Sequence, residues 1–241
     1  MSLRSKRAVI IGGTSGIGFA VAEALLQEHA EVLVVSSKRE NVETAVKRLS
    51  DGARGFAVDV RNEAQVEQFF SRLGAFDHLV YTAGDWGATT GGPLADLDIE
   101  KAGAIFAIRF WGALRVIKHA HKGIASNGSI TLTDGMVAHR PRKGAALSTA
   151  MAGAVEHLTR GLAVDLAPIR VNAVCPGAVR TEVWNSIPEE KREERFRRMT
   201  ERQPLPRIGE PAELAQAYLY LMRGSYTTGQ VLYVDGGMSV I

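Results

Sequence analysis

The chain has 241 residues, of which 46% are hydrophobic and 23% are charged, and its formal net charge is +3. This near balance of charge lacks the strongly basic character of a nucleic-acid-binding protein, so we expect no nucleic-acid partner. No apolar run reaches the roughly 18 residues of a transmembrane helix, so we expect no membrane span. The single cysteine, Cys175, excludes an intrachain disulfide and, together with the absence of a secretory signal pattern at the start, predicts a cytoplasmic location.

Short apolar segments alternate with longer segments of helical periodicity along the chain. The predicted strands are residues 8–11, 31–35, 56–60, 78–81, 129–133, 169–174 and 230–234. The predicted helices are residues 17–29, 41–49, 63–73, 99–121, 147–166 and 212–222, with a charged helical segment at 189–202. Strands separated by single helices favour right-handed crossovers and a parallel sheet covered on both faces. We therefore predict one α/β domain over residues 1–241, a doubly wound, predominantly parallel sheet of the Rossmann type.

A glycine-rich turn follows the first predicted strand and opens the first predicted helix. Glycines at such a turn let the backbone approach a pyrophosphate, and the helix N-terminus offers unpaired N–H groups to the anion. The strand before the turn and the helix after it make this pattern much more specific than glycines alone. The residues predicted to bind the phosphates are Gly12, Thr14, Ser15, Gly16, Ile17 and Gly18.

The spacing of this turn, Gly-x-x-x-Gly-x-Gly, resembles the short-chain dehydrogenase/reductase family, and the likeness extends over nearly the whole chain. The further motifs that resemble this family are Asp59-Val60 after the third strand, Ala83-Gly84 after the fourth, Pro176-Gly177 after the sixth, and Thr181. The resemblance implies a Rossmann-type fold and a nicotinamide dinucleotide held by these residues. It also implies a homo-oligomer, a dimer or a tetramer, with interfaces from the helices at 99–121 and 147–166.

The end of the second predicted strand indicates which dinucleotide is bound. An acidic residue there would bind the ribose 2′-hydroxyl of NAD, whereas basic residues accommodate the 2′-phosphate of NADP. The strand ends in Ser36, Ser37, Lys38 and Arg39, without an acid at its tip. Two hydroxyls and two cations suit a phosphate, so NADP(H) is favoured over NAD(H).

The catalytic positions that the resemblance implies carry other residues. The family uses an Asn, a Ser, a Tyr and a Lys four residues after the Tyr. The aligned positions here are Arg109, Gly135, Ser148 and Ala152. No tyrosine lies between Tyr81 and Tyr218, so no register yields the Tyr-x-x-x-Lys pair.

Three residues near these positions are candidates for a replacement acid, base or anion-binding group. Asp134 and His139 lie on the segment that borders the nicotinamide in the family, and His titrates near neutral pH. Arg109 can bind an anionic substrate or fill the space of the proton relay. The alternatives are that Asp134 caps a turn, His139 faces solvent, and Arg109 pairs with a carboxylate. No bound metal is expected.

The charged segment at 186–209 occupies the region of the family's substrate lid. Two functions remain open. One is an NADP(H)-dependent oxidoreductase with a non-standard active site, acting on a small molecule that the sequence does not identify. The other is a catalytically inert cofactor-binding protein that acts as a sensor or as a subunit of an assembly.

Overall fold

A computed structural model describes residues 2–49, 52–84 and 92–241 of the chain. The first half contains strands β1 (Arg7–Ile11), β2 (Glu31–Ser36), β3 (Ala53–Ala57) and β4 (Phe76–Tyr81), with helices α1 (Gly16–Gln27), α2 (Arg39–Leu49) and α3 (Glu63–Leu73) between them. The second half contains α4 (Ile99–Ala102), α5 (Ala113–Ala120), β5 (Ile124–Thr133), α6 (Ala146–Asp165), β6 (Arg170–Pro176), α7 (Glu189–Thr200), α8 (Pro211–Arg223) and β7 (Val231–Val234).

The seven strands form one parallel sheet in the order β3-β2-β1-β4-β5-β6-β7. The chain order reverses between β1 and β4, where Ile11 pairs with Tyr81. In open α/β sheets, ligands bind outside the carboxyl ends of the strands at such a switch point. The predicted Rossmann-type fold is confirmed, and its topology places the candidate site at the ends of β1 and β4.

The core lies in two layers because successive side chains of a strand point to opposite faces of the sheet. On β1, Ala8 and Ile10 pack towards α1 and α8, whereas Val9 and Ile11 pack towards the side of α3, α5 and α6. All four side chains are buried. This continuous burial explains why the strand is apolar along its whole length and has no polar face.

Strand β3 begins and ends earlier than the sequence pattern predicts. The predicted range was 56–60, but the strand spans Ala53–Ala57. Val58 and Val60 are buried, although they follow the strand. Their apolar character reflects packing of the following loop against the core, and it was mistaken for strand pairing.

The single helix predicted over 99–121 is wrong in its central part. After α4 the chain forms a 3₁₀ turn at Gly103–Ile105 and a π-helical segment at Ala107–Gly112, before α5 begins. The Tyr81 hydroxyl donates a hydrogen bond of 2.5 Å to the carbonyl oxygen of Ile108, which competes with the regular helical ladder. Glycines at both ends of the distorted segment weaken the helix further.

Among the described residues, no helix combines the length and the apolar character needed to cross a bilayer.

Candidate functional site

The turn after β1 packs closely against the turn after β4. Gly12 has φ +89°, and a Cβ on it would lie 2.6 Å from the Ala83 backbone nitrogen. A Cβ on Gly18 would lie 2.4 Å from the Gly12 carbonyl oxygen. These positions therefore require glycine, because the neighbouring backbone lies too close for any side chain. Helix α1 begins at Gly16, so the N–H groups of its first turn lie at this glycine-rich turn, and that of Gly16 donates to Glu182 Oε2.

A cleft of about 800 Å³ extends from this turn along the carboxyl ends of the strands. Its volume lies in the range of cofactor and ligand pockets, roughly 300–1,000 Å³. Most of the residues singled out in the sequence line it: Gly12, Thr14, Ser15, Gly16, Ile17, Gly18, Ser36, Ser37, Asp59, Val60, Ala83, Gly84, Arg109, Asp134, Pro176, Gly177 and Thr181. The glycine-rich turn and these residues therefore lie along one cleft.

Lys38 and Arg39 are exposed and do not line the cleft, and Arg39 is the first residue of α2. Arg61, which the sequence reasoning missed, does line it. Its Nη2 lies 2.8 Å from Asp59 Oδ2, and this hydrogen-bonded ion pair lowers the pKa of Asp59. The available signal was a cation two residues after Asp59, which is itself a predicted cofactor-binding residue.

At the other end of the cleft, the Arg109 guanidinium lies between two glycine turns. A Cβ on Gly84 would lie 2.7 Å from Arg109 Nε, and a Cβ on Gly135 would lie 3.9 Å from Arg109 Nη1. Arg109 belongs to the π-helical segment, a distortion that frequently marks functional sites. The distortion and the two glycines together position a permanent positive charge at the ends of β4 and β5.

Asp134 follows β5 directly and is 2% exposed, yet it lines the cleft. Its backbone N–H is bonded to the Val174 carbonyl oxygen at 2.9 Å, but neither carboxyl oxygen has a hydrogen-bond partner among the described residues. Burial, together with the nearby Glu156 carboxyl group, raises the pKa of Asp134 to about 8. A carboxylic acid is therefore held at the floor of the cleft at neutral pH.

Behind Asp134 lie His139, Glu156 and Cys175, and the ligand-type atoms of the four side chains are all within 4.8 Å of one another. His139 Nε2 contacts Glu156 Oε1, and the Tyr233 hydroxyl lies 3.0 Å from the same nitrogen. Burial is the largest influence on the pKa of Glu156 and raises it, but interactions with Asp134 and His139 outweigh it and lower that pKa overall. His139 does not line the cleft itself. Glu156 was not singled out in the sequence, because a single acid within an amphipathic helix is usually solvated.

Comparison with known proteins agrees with this geometry. Residues 12–239 match the family described as enoyl-(acyl carrier protein) reductase. The chain is 36% identical over 254 residues to the short-chain dehydrogenase/reductase ucsE of an Acremonium species, covering 98% of this chain and 96% of the relative. The chain belongs to the short-chain dehydrogenase/reductase family.

Two solved structures are close in fold. The MalC reductase/Diels-Alderase from Malbranchea aurantiaca superimposes with a TM-score of 0.92 and 34% identity, covering 99% of this chain and 98% of that one. A small-chain dehydrogenase solved in complex with NADPH gives a TM-score of 0.85 and 34% identity, covering 98% of this chain and all of the other.

The positions aligned with the family's Tyr and Lys lie on α6. Ser148 is half-buried and Ala152 is buried, and neither lines the cleft in the described part of the chain. The cleft is bordered at this end by Arg109, Asp134 and Gly135. Arg109 of the π-helical segment and Asp134 at the end of β5 are two of the ionisable residues that line the cleft, and Arg140 and Arg142 line it as well.

Residues of the segment after β6 also line the cleft. Trp184 lines it, and the Trp184 ring packs edge-to-face on Phe196 of α7 with centroids 5.4 Å apart. Phe196 is the large apolar side chain that α7 buries. Glu182 Oε2 accepts a hydrogen bond of 2.8 Å from the Gly16 backbone N–H, which links this segment to the phosphate-binding turn.

Proposed function

We propose that the protein is an NADPH-dependent reductase of a carbonyl or imine group, in which Arg109 polarises the substrate and Asp134 protonates it. The observation that carries the proposal is the arrangement of the buried Asp134 and the Arg109 guanidinium beside Gly135, in one cleft with the glycine-rich turn. The reductase named among the structural relatives supports the reaction class.

The cradle fits a nicotinamide dinucleotide. The bare turn at Gly12 and the start of α1 provide space and N–H groups for the pyrophosphate. The relative solved with NADPH supports the choice of cofactor, as do Ser36, Ser37 and the Arg61 cation. When bound, the reduced cofactor supplies the hydride. Lys38 and Arg39, which are exposed and do not line the cleft, are not needed for this choice.

Arg109 takes the part of an electrophile. A guanidinium carries five N–H donors and is always charged, so it can bind the oxygen or nitrogen that gains negative charge during reduction. Because this charge is fixed by packing between two turns, little reorganisation is needed in the transition state. The phenol and ammonium of the family's usual pair are then not required for polarisation.

Asp134 takes the part of the acid. A carboxylic acid that stays neutral near pH 7 can donate a proton, and its raised pKa suits this task. The acid lies one residue from Gly135, and Arg109 borders that glycine. Both Asp134 carboxyl oxygens are buried in the unliganded chain, so polarisation and protonation act on the same substrate atom once the substrate displaces the groups that cover them.

The lid, the assembly and the location are further parts of the proposal. The segment at 186–209 would close over the substrate, with Trp184 as part of the apolar wall. Trp111 and Val164 are exposed apolar side chains on the distorted segment and on α6, which supports a homodimer or homotetramer through these helices. The buried free thiol of Cys175 fits a cytoplasmic protein.

A catalytically inert cofactor-binding protein is the second candidate. The Glu182 carboxylate occupies the Gly16 N–H at the head of α1, where a cofactor phosphate would otherwise bind nearby. Binding of the cofactor would displace Glu182 and move the segment after β6. Such a movement suits a protein that senses the redox state of the nicotinamide pool. This candidate predicts binding of NADPH without its oxidation.

The experiment is a fluorescence titration with NADPH and NADH, followed by absorbance of the reduced nicotinamide with a panel of carbonyls and imines. We expect tighter binding of NADPH than of NADH and substrate-dependent oxidation. Arg109→Gln and Asp134→Asn should each lower turnover about 100-fold or more while the cofactor still binds. The matched control Arg72→Gln, an exposed arginine on α3, should leave turnover unchanged. Saturable binding without oxidation of any compound would contradict the proposal and favour the inert protein.

A further inference from the structure

We propose that Asp134 and Glu156 hold one proton between them as a buried acid pair, and that His139 connects the pair to solvent. The proton that Asp134 gives to a substrate is then replaced from behind the cleft. The role of the pair in turnover rests on the proposed function, whereas the existence of the shared proton does not. Asp134 is the catalytic residue in this arrangement, and Glu156 and His139 are positioning and relay residues.

The burial of both carboxyl groups is the first argument. Asp134 is 2% exposed and Glu156 is 4% exposed, and their carboxyl oxygens lie within 4.8 Å of each other. Two carboxylates at such a short distance in a poorly hydrated site repel each other strongly, so one of the two groups keeps a proton. Asp134 is the better holder, because Glu156 contacts His139 and lies near Arg160, and both groups favour the ionised form of Glu156.

The charges that surround the pair give the second argument. Glu156 contacts His139 and lies 3.7 Å from Arg160 Nη2, so two cationic or potentially cationic groups stabilise its ionised form. On the β6 side, burial raises the pKa of the Cys175 thiol, which therefore stays neutral. The groups facing the pair from the remaining elements are Tyr233 on β7, Asp235 after it, and Arg109 across Gly135. This environment favours an ionised Glu156 beside a neutral Asp134.

A route to solvent is the third argument. The His139 side chain is 29% exposed, whereas Glu156 and Asp134 are buried. The Tyr233 ring packs edge-to-face on the imidazole with centroids 4.8 Å apart and holds it against Glu156. Imidazole can take a proton on one nitrogen and release one from the other, which suits a relay at a surface.

The proton balance of the step is simple. Asp134 transfers its proton to the substrate atom that carries the developing charge and becomes a carboxylate. His139 gives its Nε2 proton to Glu156, Glu156 passes a proton to Asp134, and the imidazole is reprotonated by solvent. One proton moves from solvent to product, and the three side chains regain the protons with which they started.

The alternative occupant of this cluster is a divalent metal ion held by Asp134, His139, Glu156 and Cys175. Metal binding would separate His139 Nε2 from Glu156 Oε1, which already satisfy each other, and would ionise the buried Cys175 thiol. Both changes cost free energy that the shared proton does not require.

The test is infrared spectroscopy of protein labelled with ¹³C in its aspartate side chains, recorded from pH 5 to 10 without substrate. We expect a protonated-carboxyl band at pH 7 in the wild type and in the control Asp165→Asn, an exposed residue at the end of α6, but not in Asp134→Asn. Glu156→Gln should lower the midpoint of this band by about one pH unit or more, because the neighbouring negative charge is removed. An Asp134 that is ionised at pH 7, or a midpoint that Glu156→Gln does not move, would overturn the proposal.

Two further measurements separate the relay from the alternatives. With a substrate in hand, His139→Gln should lower kcat about tenfold and increase the solvent deuterium isotope effect, while His157→Gln on the exposed face of α6 changes neither. A kcat and isotope effect unaffected by His139→Gln would contradict the relay. If the purified protein contained stoichiometric zinc and the infrared band appeared only after chelation, the cluster would hold a metal ion and the shared proton would be ruled out. Failure of all substrates to oxidise NADPH would contradict the proposed function but would leave the infrared result to decide the acid pair.

Discussion

At Gly12 a single methyl group decides whether the phosphate-binding turn can form. Its φ of +89° disfavours any L side chain, and a Cβ would contact the Ala83 nitrogen at 2.6 Å. Gly12→Ala should therefore lower the free energy of unfolding by about 1–3 kcal/mol and weaken NADPH binding. Chemical denaturation and a fluorescence titration measure both effects.

Gly161 provides the matched control for this substitution. It lies inside α6, and a Cβ there would meet nothing within 4 Å. Gly161→Ala should leave NADPH binding unchanged and stabilise the protein by about 0.5–1 kcal/mol, because alanine favours a helix. Equal destabilisation by the two substitutions would show that the close approach at Gly12 has no special role.

Asp134 should also make stability depend on pH. Its raised pKa means that the folded protein binds a proton that the unfolded chain has released, so stability falls as pH rises towards about 8. His78 acts in the opposite direction, because burial lowers its pKa from 6.5 to about 4. Between those two values its contribution rises with pH, so only the interval from about 6.5 to 8 isolates Asp134.

In that interval, the free energy of unfolding of the wild type should fall by up to about 1.4 kcal/mol per pH unit. Asp134→Asn should remove most of this slope, and Asp165→Asn should leave it in place. Urea denaturation at closely spaced pH values measures the slopes. Equal slopes in the wild type and in Asp134→Asn would show that the buried carboxyl group is ionised throughout.

Single residues also mark how far the sequence reasoning could reach. Arg109 was identifiable because it occupies a position of the family's catalytic set, and Asp134 and His139 because they lie on the segment that borders the nicotinamide in the family. Glu156 was not, since its importance depends on His139, which the fold brings beside it. For Arg61 the one signal was its position two residues after Asp59, with which it pairs at the cleft wall. The alternative that His139 faces solvent holds only for part of its ring.

Among the elements, α7 packs against the rest of the protein through few apolar side chains. Phe196 is buried against Trp184, and the Arg180 guanidinium lies 4.9 Å from the Phe196 ring centroid. Phe196→Ala should therefore loosen the segment without unfolding the sheet. We expect faster tryptic cleavage within α7 and a raised KM, with little change in NADPH binding.

The control for the lid is Glu190→Ala, which changes an exposed side chain of the same helix. Limited proteolysis followed by mass spectrometry locates the cleavage. If Phe196→Ala leaves the cleavage rate within α7 unchanged, packing on Trp184 does not hold the segment, and its interpretation as a lid loses its support.

Elements were predictable where periodicity and burial agree. Helix α3 has the predicted bounds, because its apolar face and its Asn62 cap leave no competing arrangement. The segment around Ile108 was not predictable, since the Tyr81 hydroxyl that distorts it comes from another element. The same distortion presents Arg109 to the cleft, so the main error in secondary structure falls at the proposed site.

For the whole molecule, the parallel sheet and its switch point follow from the alternation of strands and helices, and the position of the site follows from the sheet.

The oligomeric state does not follow from this alternation and depends on the exposed side chains. Val164 on α6 is 78% exposed in one chain, and we expect a partner copy to cover it. Val164→Asp should therefore lower the mass measured by light scattering from a dimer or tetramer towards the monomer.

Tyr226 is the matched control for the assembly, because it is fully exposed but lies in a loop outside the two helices. Tyr226→Asp should leave the mass unchanged. A wild type that is monomeric at micromolar concentration, or a Val164→Asp variant with the wild-type mass, would contradict an interface through α6.

The central claim is that hydride leaves NADPH in this cleft, and the most direct measurement is transfer of deuterium from NADPH labelled at C4 of the nicotinamide. Mass spectrometry of the carbonyl and imine panel should show a product that carries one deuterium in the wild type and in Arg72→Gln. Arg109→Gln and Asp134→Asn should form it about 100-fold more slowly. If the wild type binds NADPH to saturation and no compound gains deuterium, the protein binds the cofactor without using it, and the reductase proposal is wrong.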